Sequence, residues 1–229
     1  MSLLLPLLVG CALFPGADPE KPAPQRYVRP EMGKYVSAGE VTTKRGEDET
    51  VITTRAEVAD GKTTLTLRYG QGGTLTSAEV VEGGTRKSAT LTLGEKGTGT
   101  MKRGGITDFL KDLPTNPVVS AGPDWSDVLQ LVRRYDGAKG GKQELGGISL
   151  DPVQGLQNQT FTVERQAADT VTVKDKEVKL DRYRLKLRGG EYAAWADAEG
   201  RVVRVLGLAP KAVPVVLEGF EEATRGLKP

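Results

Sequence analysis

The 229-residue sequence contains no histidine and a single cysteine, Cys11. No imidazole is therefore available as base or zinc ligand, and neither a CxxC pair nor an internal disulfide can form. Serine and lysine nucleophiles need a neighbouring base or a desolvated amine. The sequence holds neither SxxK nor GxSxG. The carboxylate pairs Glu47-Asp48 and Glu221-Glu222 fall in polar, turn-like surroundings, where solvated charge is the expectation. Asp124 and Asp127 stand at the start of a helical pattern and suit a cap and the positive end of the helix dipole. Asp197 lies in the turn-forming run Asp197-Ala198-Glu199-Gly200 and suits side-chain to backbone hydrogen bonding. The glycine-rich stretch from Gly137 to Gly147 lacks GxxxxGK[ST] and GxGxxG and reads as a connector. No catalytic residue, metal ligand set or cofactor motif is assigned, and an enzyme is not expected. With 32 basic and 30 acidic residues, the chain offers no broad field for nucleic acid.

The cysteine has a distinctive neighbourhood. An apolar run from Leu3 to Val9 precedes it, too short for the roughly 20 apolar residues that span a bilayer. Its length suits a signal-peptide core followed by small residues. Leu8-Val9-Gly10-Cys11 resembles the lipobox of bacterial lipoproteins, although no Lys or Arg precedes the run and Pro6 interrupts it. The resemblance implies cleavage before Cys11, a diacylglyceryl thioether on its sulfur and an acyl group on the freed amine. Two or three chains would anchor the protein stably, where one is marginal. By the same resemblance, with enteric lipoproteins as the analogy, Ala12 in place of Asp implies the outer membrane, facing the periplasm. Prolines at 15, 19, 22 and 24 then favour an extended tether of about 3 Å per residue. The expected organisation is a signal peptide over 1–10, lipidated Cys11 with its tether over 11–30, and one domain over 31–229.

Behind the tether the sequence alternates. Lys34 to Lys44 and Thr50 to Val58 are rich in Val and Thr, and Asp60-Gly61 is a hairpin signal. Leu65, Leu67 and Tyr69 share one face of the next run, with Thr64, Thr66 and Arg68 on the other. Leu75 to Glu82 and Arg86 to Leu93 form a further pair about Gly83-Gly84, making about five strands in the first hundred residues. Ile106, Phe109, Leu110 and Leu113 stand at helical spacing, which predicts a short helix ended by Pro114. A longer helix is predicted from about Trp125 to Tyr135, with Arg133 and Arg134 in its last turn and Trp125, Val128, Leu129 and Val132 facing the core. Strands resume over Thr160 to Arg165, Thr170 to Lys174, Glu177 to Arg188, Glu191 to Trp195 and Arg201 to Leu206. Val213 to Phe220 is expected at a sheet edge, because Pro214 removes a ladder donor.

The stretch from Leu180 to Val205, with Tyr192-x-x-Trp195-x-Asp197-x-x-Gly200 at its centre, resembles the half-barrel of the periplasmic lipoprotein carrier and its outer-membrane acceptor. The resemblance implies a mainly β (α+β) fold, in which a strongly curved antiparallel sheet or half-barrel is covered by one or two mid-chain helices. It implies a non-enzymatic envelope protein that binds an apolar or acylated ligand, and carries over no functional residue. The alternative is a tethered structural module whose partner is another envelope protein. A continuous apolar cavity between sheet and helices, some 300 Å³ or more, separates the two readings.

Overall fold

The computed structural model describes residues 23–58, 61–84, 87–121 and 124–228. Cys11, the segment before it and Asp60 lie outside the described residues. The described chain is mainly β, with sixteen strands and one α-helix. The strands run β1 (Gln25–Glu31), β2 (Lys34–Arg45), β3 (Thr50–Val58), β4 (Gly61–Tyr69), β5 (Leu75–Glu82), β6 (Lys87–Leu93), β7 (Gly99–Arg103), β8 (Ile106–Leu110) and β9 (Val118–Ser120). Helix α1 (Asp124–Arg134) follows. Then come β10 (Lys142–Asp151), β11 (Gly155–Arg165), β12 (Asp169–Val173), β13 (Lys176–Leu187), β14 (Gly190–Ala196), β15 (Val202–Gly207) and β16 (Val215–Leu217).

The sheet is continuous and open. Its order is β8-β7-β6-β5-β4-β3-β2-β1-β16-β15-β14-β13-β11-β10-β9, with β12 paired to the start of β13. All pairings are antiparallel except β9 with β10. Two meanders thus meet where β16 inserts between β1 and β15. Val213 to Phe220 is not an edge, as Pro214 had implied: the strand begins just after that proline, at Val215. The sheet also begins earlier than expected, at Gln25, which pairs with Val41 inside the stretch read as tether.

Curvature brings the sheet's two ends together through side chains. Leu65, Leu67, Val80, Leu91 and Met101 of the first meander pack with Val119, Ile148 and Leu150 of the second. Leu113, on the loop after β8, joins the same cluster. Asn116 ties this loop to the β4–β5 connection, its Oδ1 accepting from Leu75 N at 2.9 Å. β8 and β9 remain unpaired on their outer sides, so the barrel does not close.

A larger cluster surrounds α1. Val128, Leu129, Leu131 and Val132 meet Phe161 and Val163 of β11 and residues of β13 to β15. The Trp125 ring lies 5.1 Å from that of Tyr27. Gly39 makes room for it: a Cβ there would stand 2.9 Å from the indole, and its φ of 148° disfavours other residues. The second helix expected over Ile106 to Leu113 is absent. Gly104 and Gly105, at φ 50° and 82°, instead turn β7 into β8. Nor is Gly137 to Gly147 all connector, since β10 starts at Lys142. Gly147 sits within that strand because the Phe161 ring occupies the space a side chain would need.

Candidate functional site

On β3 and β4, period-two geometry puts Thr50, Ile52 and Thr54 on one face, directly opposite Tyr69, Leu67 and Leu65. This face looks into the curve of the sheet. Helix α1 crosses above it along its length, presenting Ser126, Leu129, Gln130, Arg133 and Arg134. Between them lies a cleft of about 560 Å³, bounded at its open end by the β2–β3 loop and the β4–β5 connection. Ile52 packs against both apolar clusters, so the cleft opens at the seam between them.

The floor is apolar, formed by Ile52, Leu67 and Leu129, with Thr54 beside them. The mouth is charged. Arg45, Arg133 and Arg134 line it, and none makes an ion pair among the described residues. Burial lowers the pKa of Arg134, an effect opposed by nearby Tyr69. Burial likewise raises the pKa of the Tyr69 hydroxyl, while Arg134 and Arg133 pull it back. Across the mouth, Glu49 is held by Arg68 at 3.0 Å, and Asp48 accepts a 2.5 Å hydrogen bond from Gln71. Those carboxylates already have partners; the arginines do not. An apolar floor beneath unpaired guanidinium groups suits a molecule with a hydrocarbon body and a polar or anionic end.

The wall of α1 behind the cleft is unusually polar for a buried surface. Gln130 donates to Val119 O at 2.7 Å and accepts from Val119 N at 3.1 Å, serving β9 as a neighbouring peptide would. Asp127 is 1% exposed and takes a 2.6 Å hydrogen bond from the Ser120 hydroxyl. Burial outweighs that bond and pushes its carboxyl up to about 8.

No protein-family model matches the chain, and no curated protein matches it in sequence. Among solved structures, the crystal structure of a DUF1089 family protein from Pseudomonas aeruginosa is similar, at 16% identity and a TM-score of 0.49. The match covers 80% of this chain and 96% of that one. At that identity and score it bears on neither activity nor ligand.

The residues that the sequence suggested do not converge on one site. Asp197 shapes its turn as expected, accepting from Glu199 N at 3.1 Å and Arg201 N at 2.9 Å. Asp124 opens α1 and its carboxylate accepts from the Tyr192 hydroxyl. Asp127, expected to act at the helix start, is instead a buried partner of β9. Glu47 and Asp48 are exposed on the cleft's rim, whereas Glu222 pairs with Arg225 at 2.6 Å far along the chain. The cleft residues themselves were legible only as core and surface. The sequence places Leu67 and Tyr69 on an apolar face, and Arg133 and Arg134 in the last turn of the helix. Their meeting depends on how far the sheet curls, which alternation does not encode. Among the described residues, no helix is long and apolar enough to cross a membrane.

Proposed function

We propose that this chain is a lipid-anchored, non-enzymatic protein of the bacterial cell envelope that holds an apolar or acylated ligand within its half-barrel. The observation that carries the ligand reading is the 560 Å³ cleft between β3–β4 and α1, which falls within the range of small-molecule sites. Ile52, Leu67 and Leu129 would take the hydrocarbon, and Arg133 with Arg134 the polar end. The anchor reading is supported by Leu8-Val9-Gly10-Cys11 and the prolines that follow. On this reading acyl chains at Cys11 fasten the protein to the outer membrane and the domain faces the periplasm.

Each half has its own test. Cells fed an alkyne-tagged fatty acid should label the wild-type protein and leave Cys11→Ser unlabelled; equal label, or none in either, refutes the anchor. For the ligand, the full chain carrying Cys11→Ser is titrated with the fluorescent fatty acid cis-parinaric acid. Saturable binding is expected, and Ile52→Trp, which fills the cleft from a half-buried position, should weaken it about tenfold or more. Absent binding, or binding that ignores Ile52→Trp, overturns the ligand reading and favours a tethered interaction module.

A further inference from the structure

Ion pairing in this sheet follows an odd distribution. Several arginines that stand in solvent have carboxylate partners: Arg55 with Glu40 at 2.8 Å, Arg165 with Asp181 at 2.6 Å, and Arg184 with Glu191 at 2.6 Å. Arg204 on β15 is only 7% exposed and has none. Its neighbours across the ladder are Trp195 and Val216. The guanidinium carbon sits 5.4 Å from the centre of the Trp195 ring, and Nε finds no acceptor. A cation–π contact of this kind replaces only part of the hydration a guanidinium loses. Burying an unpaired ion is strongly unfavourable. The stack therefore does not offset the burial, and a guanidinium does not escape by losing its proton.

Arg204 borders a second cavity, of about 260 Å³, on the side of the sheet away from the ligand cleft. The start of β2 contributes Lys34 and Tyr35, and the turns after β16 contribute Glu221, Thr224 and Arg225. Lys34 makes no ion pair among the described residues. Arg225 is matched by Glu222, and Glu221 is occupied in accepting from Gly219 N at 2.8 Å. Two cations, one of them deeply buried, are thus left facing a space too small for a drug-sized molecule and roomy enough for a single ionic group.

We propose that this cavity binds a phosphate group, with the Arg204 guanidinium as its main ligand and Lys34 closing the outer side. Phosphate carries between one and two negative charges at neutral pH, matching the two unpaired cations. Its oxygens suit the terminal nitrogens of a guanidinium, which are not sealed off as Nε is. Free phosphate and the phosphate of a lipid head group share this chemistry. The inference is independent of the acyl-binding cleft, because no residue is common to the two cavities.

The test is calorimetric titration and thermal unfolding of the full chain with inorganic phosphate, against chloride at equal ionic strength. The wild type should bind saturably and its melting midpoint should rise. Arg204→Met should abolish both responses and, without phosphate, melt no lower than the wild type, since it removes an unpaired buried charge. Lys34→Ala lies at the exposed rim, leaves the core untouched, and should weaken phosphate about fivefold or more. Dihexanoyl phosphatidic acid is titrated in parallel. Tighter binding of this lipid identifies a head group as the source, and tighter binding of inorganic phosphate identifies the free ion. No response in the wild type means that water alone fills the cavity and overturns the proposal. So does an equal response in Arg204→Met, or in Lys34→Ala should the methionine variant fail to fold.

Discussion

Asp127 shows how far a residue's surroundings can move it from its sequence role. A carboxylate in the first turn of a helix is ordinarily a charge that complements the dipole. Here strand β9 and the sheet behind it remove water from both sides, and the carboxyl holds its proton up to about pH 8 against 3.8 for the free group. The folded chain therefore keeps a proton that the unfolded chain releases over the interval between those values. Stability from this group is complete below about pH 4 and is lost as pH rises toward 8, by at most about 1.4 kcal/mol per pH unit. Asp127→Asn keeps an acceptor for Ser120 and cannot ionise. Urea unfolding should find the variant close to the wild type at pH 4.5 and more stable by on the order of a few kcal/mol at pH 8. Parallel pH profiles for the two proteins would mean that Asp127 is charged in the folded chain.

At the scale of elements, Gln130 and β9 form one unit. β9 has three residues, pairs on one side with β10, and would leave Val119 N–H and C=O buried without partners on the other. The Gln130 amide satisfies both. Gln130→Leu preserves volume and strands two buried groups, at about 1–3 kcal/mol each. A loss of about 2–4 kcal/mol should appear as a lower urea midpoint at unchanged m. A loss under about 0.5 kcal/mol would show that Val119 finds other partners. The apolar face of α1 was readable in Trp125, Val128, Leu129 and Val132, but its buried polar face was not. Ser126, Asp127 and Gln130 look solvent-facing until a strand too short to show a period is laid over them. The opposite error occurred at β8. Ile106 and Phe109 stand at helical spacing, yet they are 54% and 84% exposed, so no apolar stripe exists there. Gly104-Gly105, directly before Ile106, carried the better local signal for a hairpin.

The whole molecule is organised by contacts between distant parts of the chain. Its first and last strands are neighbours, with Tyr27 opposite Leu217 and Val28 opposite Val216. The two meanders were visible as separate alternating runs, because each consists largely of hairpins between sequence neighbours. Their junction was not visible, since β16 is three residues long and follows a proline. The cleft is equally non-local: β3 and β4 supply its floor, and α1, much later in the chain, supplies its roof. Among the described strands, β16 is the one that hydrogen-bonds to both meanders, to β1 on one side and β15 on the other. Topologies dominated by such pairings fold slowly, in milliseconds to seconds, because the closing contact forms across nearly the full chain. A chain ended at Ala212 retains every hairpin except that of β15 with β16, and loses β16 with its pairing to β1 and the turns after it. It exposes the facing edges of β1 and β15, along with apolar surface that Val216 and Leu217 cover at about 1.5–3 kcal/mol each. The truncated chain should unfold at a markedly lower urea concentration, and its circular dichroism and tryptophan fluorescence should no longer change together, as the meanders come apart in separate steps. A single transition at the full-length midpoint would show that the side-chain cluster between the sheet's ends, and not β16, holds the two meanders in register.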